Sequence, residues 1–419
     1  MDSVQALYHI DFAVLYRTAR WVLITFGELM RTYLENNNLT LYLEGRIDST
    51  HAAETEAAML ETIGKYPGAC IILDAENLEA ISSAGLRVLM TLRKFSEDPI
   101  TVKNVSPEVY EIFEMTGFTE LFDVQRALRT VSTEGLEIIG KGATATVYRL
   151  DREMVLKVFK PGTSLDIIRR ERELCKNAFV SGIPTAISYD VVQAGDCYGA
   201  VYELLDAEDF LTVIENDKEH LDDYIRKFAV SIREMHSTEV DTLKFPDAKT
   251  DSLRMLPLLE GFCTKEEIEK LQRLFEIIPD RSTFIHGDCH PGNVMVHGGE
   301  LVFIDMMTCG SGHPVFDLTS MCTNYHMSAK SESRENNQLL RNFTKEEAAR
   351  IWDIFLSSYL DTEDENTLRK AERQIMVISS ARILFSVIYL PGLFPEDQLK
   401  ELKHFALAYV DDGLDPLVF

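Results

Sequence analysis

From Leu39 onward, short apolar runs alternate with longer stretches of helical spacing. "LTLYLEGRID" predicts a strand, and "STHAAETEAAMLETIG" a helix opened by a Ser/Thr cap. "ACIILDAENL" reads as a buried strand. In "SSAGLRVLMTLRKFS", Leu86, Leu89, Met90 and Phe95 recur near helical spacing. "PITVKNV" is a further strand, and "PEVYEIFEMTGFTELF" a helix with Pro107 near its start. This alternation over residues 39–130 predicts an α/β domain.

The flanks read differently. Leu15, Ala19, Val22, Leu23, Phe26 and Met30 recur at helical spacing, so residues 1–38 are expected to form a helical extension. Its longest uncharged run, Trp21 to Gly27, is far short of the roughly 20 apolar residues of a spanning helix, so no membrane span is expected. After "RTVSTEGLEI", which reads as a linker into a strand, residues 131–419 form a second expected domain. It is β-rich over about 136–205, with one helix, and α-rich over about 206–419.

Composition narrows the partners. A length of 419 residues with 46% hydrophobic content allows two cores. A net charge of -26 argues against non-specific nucleic-acid binding, which needs a basic footprint. The seven cysteines are odd in number and include no CxxC pair, which disfavours a disulfide framework or a zinc knuckle. A reducing, cytoplasmic setting fits.

The candidate chemistry gathers in "HGDCHPGNVMVHGGELVFID", residues 286–305. Pro291 and Gly292 make a loop of the segment between Asp288 and Asn293. "VMVH", "GG" and "ELVFID" read as strand, tight turn and strand. Such a hairpin returns Asp305 to the neighbourhood of Asn293. An amide and a carboxylate oxygen together suit Mg²⁺, which takes few protein ligands. Asp288 could serve as base toward a hydroxyl. The histidines and Cys289 match no familiar zinc spacing.

A phosphate ligand makes further demands, met upstream. "IIGKGATATVYRL" places Gly140 and Gly142, then Ala143 and Thr144, between strand-like runs. Lys157 lies mid-strand, with Val155 and Phe159 on its face, and needs a partner there. Glu171 falls on the apolar face of the following helix with Ile167, Ile168, Leu174, Cys175 and Ala178, whereas Glu173 points elsewhere.

Glycine loop, strand lysine, helix glutamate, "HGDCHPGN" and "FID", in this order, resemble the protein-kinase-like fold. "HGD" and "IDM" place the chain nearer its small-molecule branch, the aminoglycoside phosphotransferase and choline kinase families. The resemblance implies a two-lobed α+β kinase fold and ATP and Mg²⁺ as cofactors. It implies that Lys157 holds the nucleotide phosphates and Glu171 orients it, that Gly140, Gly142, Ala143 and Thr144 cover the phosphates, and that "VYELL", with Glu203 and Leu205, meets the adenine. Asp288 becomes the catalytic base, Asn293 and Asp305 the metal ligands, and Asp317 of "GHPVFDL" a support of the catalytic loop. The acceptor is a small hydroxylated molecule of unspecified identity.

"LEAISSAGLRVL" resembles the signature of STAS domains, the anti-sigma factor antagonist fold, over residues 39–125. In that family a serine at the helix start is phosphorylated by a partner kinase, a role that falls on Ser83. Ser82 stands where an aspartate is common. Regulatory phosphorylation and plain helix capping both fit these serines. Two functions follow: a small-molecule kinase with a STAS module for regulation or protein docking, or a signalling protein whose kinase-like domain phosphorylates Ser83 or acts as a nucleotide switch.

Overall fold

Two consecutive asparagines, Asn36 and Asn37, turn the chain with φ of 46° and 66° and join strand β2 (Thr32–Glu35) to β3 (Asn38–Ile47). Positive φ at both turn positions matches the twist of an antiparallel hairpin, and asparagine tolerates it. A further strand, β1 (Val22–Ile24), pairs antiparallel with β2, placing Val22 opposite Leu34. The computed structural model describes residues 22–24, 31–96, 99–142, 144–330, 338–340, 342–389, 391–413 and 415–419. The helix expected within residues 1–38 is therefore corrected where the chain is described: Val22–Ile24 and Thr32–Glu35 are strands. Their β-branched and aromatic residues extend a sheet whose β3 edge offers ladder partners, and this outweighs the helical spacing. The rest of the expected helix lies outside the described residues.

The chain divides into two units after Thr130. In the first, α1 (Ala52–Lys65), β4 (Cys70–Ile81), α2 (Ser83–Leu92), β5 (Thr101–Val105), α3 (Pro107–Met115) and β6 (Asp123–Arg126) follow β3. The sheet order is β1 to β6 in sequence, antiparallel up to β3 and parallel from β3 to β6. Leu39, Leu41, Leu73, Leu89, Val102 and Phe113 are fully buried in one core. Gly85 permits the tight approach of α2, since a Cβ there would collide with the Ile47 carbonyl oxygen. Ser82 caps α2, its side chain accepting from the Ala84 N–H at 3.2 Å, while Ser83 is exposed in the first turn.

A two-residue strand, β7 (Arg129–Thr130), precedes the second unit. That unit opens with β8 (Ile138–Lys141), β9 (Ala145–Arg149), β10 (Met154–Phe159), α4 (Leu165–Val180), β11 (Ser188–Ala194) and β12 (Cys197–Glu203). These strands lie antiparallel in the order β11-β12-β10-β9-β8. Beyond Leu204 and Leu205 come β13 (Ala207–Asp209) and α5 (Phe210–Asn216), then a mainly helical region. Phe210, Phe228, Phe275, Trp352 and Phe355 anchor its large apolar core. Among the described residues no helix is long and apolar enough to cross a membrane.

Candidate active site

A cleft of about 470 Å³ runs between the β-rich and helical parts of the second unit. Its lining includes Gly140, Gly142 and Thr144 of the β8–β9 turn, Lys157 and Glu171, the Glu203–Leu205 connection, and Asp288, Asn293 and Asp305. Every site residue expected in this unit lines it except Ala143, which lies outside the described residues. Ser83 belongs to the other unit.

Lys157 projects from the middle of β10. Its ammonium donates to Glu171 Oε1 at 2.7 Å and to Asp305 Oδ1 at 3.1 Å. Burial pulls the lysine pKa down, but Asp305 and Glu171 together outweigh burial and hold it above its ordinary value. The lysine is thus a permanent cation at the back of the cleft. Glu173 is exposed and pairs instead with Lys176 at 3.5 Å.

The loop from His286 to Asn293 is held from beneath. Asp317, in the helix Val315–Met321, accepts the His286 N–H at 2.7 Å and the Gly287 N–H at 2.5 Å. Its Oδ2 also accepts from His236 Nε2 at 2.9 Å, and the Tyr359 hydroxyl lies 2.8 Å from His236 Nδ1. Burial pushes the Asp317 carboxyl up, yet His236 and the loop amides keep it below the usual carboxylate range. His286 Nε2 donates to the Ile304 carbonyl at 3.0 Å, tying the loop to the chain just before Asp305. Gly287 has φ +83°, and a Cβ there would collide with the Thr308 carbonyl, so only glycine fits.

Pro291–Asn293 forms a single 3₁₀ turn within the expected loop, with His290 at its start accepting the Gly292 N–H at 3.1 Å. From it, β15 (Val294–His297) and β16 (Glu300–Phe303) form the hairpin, turning on Gly298 and Gly299 with φ of 57° and 85°. (β14, Phe284–Ile285, precedes the loop.) The ladder continues as the Ile304 N–H donates to the Asn293 carbonyl at 3.0 Å, setting Asp305 beside Asn293. Asp305 has φ 64° and ψ 63°, a left-handed conformation that aspartate tolerates and that active sites often impose.

Asn293 Nδ2 donates to the Asp288 carbonyl at 2.9 Å and to Asp288 Oδ2 at 3.2 Å. Its amide protons are thereby engaged, and Oδ1 is the end left for a cation. No group of three or more His, Cys, Asp or Glu among the described residues could hold a metal by itself. An Asn–Asp pair facing this cleft fits Mg²⁺, which takes few protein ligands and completes its shell with other oxygens. Burial raises the Cys289 thiol well above its ordinary value, which makes it a poor nucleophile.

Several cleft residues were not singled out in the sequence. Ile139, Val147, Met295 and Ile304 supply apolar surface to the cleft beside Val155, and the Tyr202 side chain also lines it. His236 was equally silent, since its role depends on Asp317, 81 residues away.

The profile of the phosphotransferase enzyme family (APH) matches residues 135–352, just over half of the chain. The STAS domain profile matches residues 30–132. BtrV of Bordetella bronchiseptica, a protein named as an anti-sigma factor antagonist, is 33% identical over 85 residues, covering 20% of this chain and 72% of its own. Among solved structures, ADP-bound aminoglycoside phosphotransferase APH(2'')-Ib is 18% identical with a TM-score of 0.45, covering 72% of this chain and 98% of its own. A choline/ethanolamine kinase family protein from Mesorhizobium loti is 14% identical with a TM-score of 0.45, covering 67% and 94%. The chain belongs to the phosphotransferase enzyme family and carries a STAS domain ahead of its phosphotransferase unit.

Proposed function

We propose that the second unit transfers the γ-phosphoryl group of ATP to the hydroxyl of a small molecule, and that the STAS unit docks a protein or regulates the enzyme. The observation that carries this reading is the single cleft that gathers Lys157–Glu171, Asp288, Asn293 and Asp305 below a glycine turn. The apolar side chains Ile139, Val147, Met295 and Ile304 offer faces for the adenine ring, beside the Glu203–Leu205 backbone. Lys157 neutralises phosphate charge while Glu171 keeps its ammonium in place. The backbone at Gly140, Gly142 and Thr144, which line the cleft, can approach the phosphates closely. Asn293 Oδ1 and Asp305 hold Mg²⁺, which when bound neutralises charge on the transferring group.

Asp288 orients the acceptor hydroxyl and takes its proton as the new O–P bond forms. The bond from the γ-phosphorus to its bridging oxygen breaks, and ADP leaves. Asn293 and the nearby His290, whose Nε2 lies 3.5 Å from Asp288 Oδ1, hold that carboxylate in position. The step is mostly positioning and charge neutralisation.

A second reading rests on one observation: Ser83 is exposed at a helix N-terminus, where a phosphate would be well received. In that case the kinase-like unit phosphorylates Ser83, or serves as a nucleotide-bound switch. Incubation with γ-labelled ATP and a panel of small alcohols and aminoglycosides separates the two. Label recovered on a small molecule supports the first reading. Label found only on Ser83 replaces it with the second.

A further inference from the structure

Tyr202 is the penultimate residue of β12, followed by Glu203 and the lobe connection. It stands directly opposite Val155 in the β10–β12 ladder. Residues opposite each other in a sheet share a face, and so do residues two apart along one strand. Tyr202 and Lys157 therefore rise from the same face of the sheet. Both reach one atom of α4: Lys157 Nζ lies 2.7 Å from Glu171 Oε1, and Tyr202 Oη donates to that oxygen at 2.9 Å. The other oxygen, Glu171 Oε2, is buried without a hydrogen-bond partner among the described residues. A buried carboxylate in this state depends on the donors at Oε1.

Lys157 has a competing carboxylate. Its ammonium is shared with Asp305 at 3.1 Å. How the lysine divides itself between Glu171 and Asp305 depends on how firmly Glu171 is held. We infer that Tyr202 is a positioning residue of the nucleotide site, holding the Glu171 carboxylate against Lys157 so that the ammonium faces the phosphates and Asp305 is not captured by it. This inference rests on the nucleotide reading of the cleft and adds a residue to it. Burial, with Glu171 beside it, raises the tyrosine pKa well above its ordinary value, so the hydroxyl stays a donor.

The test is a double-mutant cycle read by calorimetric titration of ATP into the full chain, with Mg²⁺ and again with EDTA. Tyr202→Phe keeps the ring and removes only the donor. It is expected to weaken ATP binding about fivefold, the size of one net hydrogen bond. In a Glu171→Gln background the same substitution is expected to have almost no further effect, because the partner it positions is already altered. Thermal unfolding followed by circular dichroism checks the fold of each variant, and Tyr202→Leu takes the same place in the cycle should the phenylalanine variant unfold. Unchanged affinity in Tyr202→Phe overturns the inference. So does an undiminished loss in the Glu171→Gln background, which would make Tyr202 a packing residue only. A wild-type chain that binds no ATP overturns the nucleotide reading, and the inference with it.

Discussion

The two units treat polar groups in opposite ways. Among the described residues of the STAS unit, the buried polar side chains are Thr40 and Asp74, and Asp74 is paired with Lys103 at 3.3 Å and Asn104 at 3.0 Å. Its candidate residue, Ser83, is exposed. The phosphotransferase unit instead buries Glu171, His236, His286, Asp288, His290, Asn293 and Asp317. Burying such groups is costly unless each is hydrogen-bonded, and an apolar core would be as stable or more so. Their concentration around one cleft marks where fixed charge is needed for chemistry. The first unit displays a surface, and the second organises an interior.

That contrast can be broken by substitution. The largest effect is expected for Asp317→Ala, which strands His236 and two loop N–H groups. The phosphotransferase unit should lose about 3–5 kcal/mol, and catalysis with it. Denaturant unfolding should show that loss while the STAS transition stays in place.

Gly85→Ala attacks the other unit through packing alone. Its added methyl meets the Ile47 backbone, which cannot yield as a side chain would. A loss of about 1–3 kcal/mol is expected in the STAS transition, with ATP binding unchanged by calorimetry.

The smallest effects separate the two serines. Ser82→Ala removes the α2 cap and should cost about 1 kcal/mol. Ser83→Ala, at an exposed position, should stay within about 0.5 kcal/mol. Thermal unfolding of the two variants side by side checks the order. A larger cost at Ser83 would move the capping role onto it and weaken its reading as a phosphate acceptor.

Local patterns carried most of the fold. Strand alternation and helical spacing placed β3 through α3 of the STAS unit, although α1 starts after His51 with no side-chain cap where a Ser/Thr cap was expected, and the Gly298–Gly299 turn gave the hairpin that returns Asp305 to Asn293. The helical wheel separated Glu171 from Glu173, because burial follows helix phase. The first 38 residues failed at Val22–Ile24, where spacing suggested a helix and sheet pairing decided otherwise. The side-chain roles of Tyr202 and His236 were silent for another reason. Each residue acts through a partner distant in sequence, Glu171 at 31 residues and Asp317 at 81, and no local period encodes such a contact.

On the proposed function, Asp288 acts in transfer and not in nucleotide binding. The most direct measurement compares wild type with Asp288→Asn in two assays on one preparation: calorimetric ATP affinity, and transfer of labelled phosphate to the best acceptor found. Unchanged affinity is expected, with transfer reduced about 10²–10⁴-fold. Transfer that survives the substitution would contradict the proposed function.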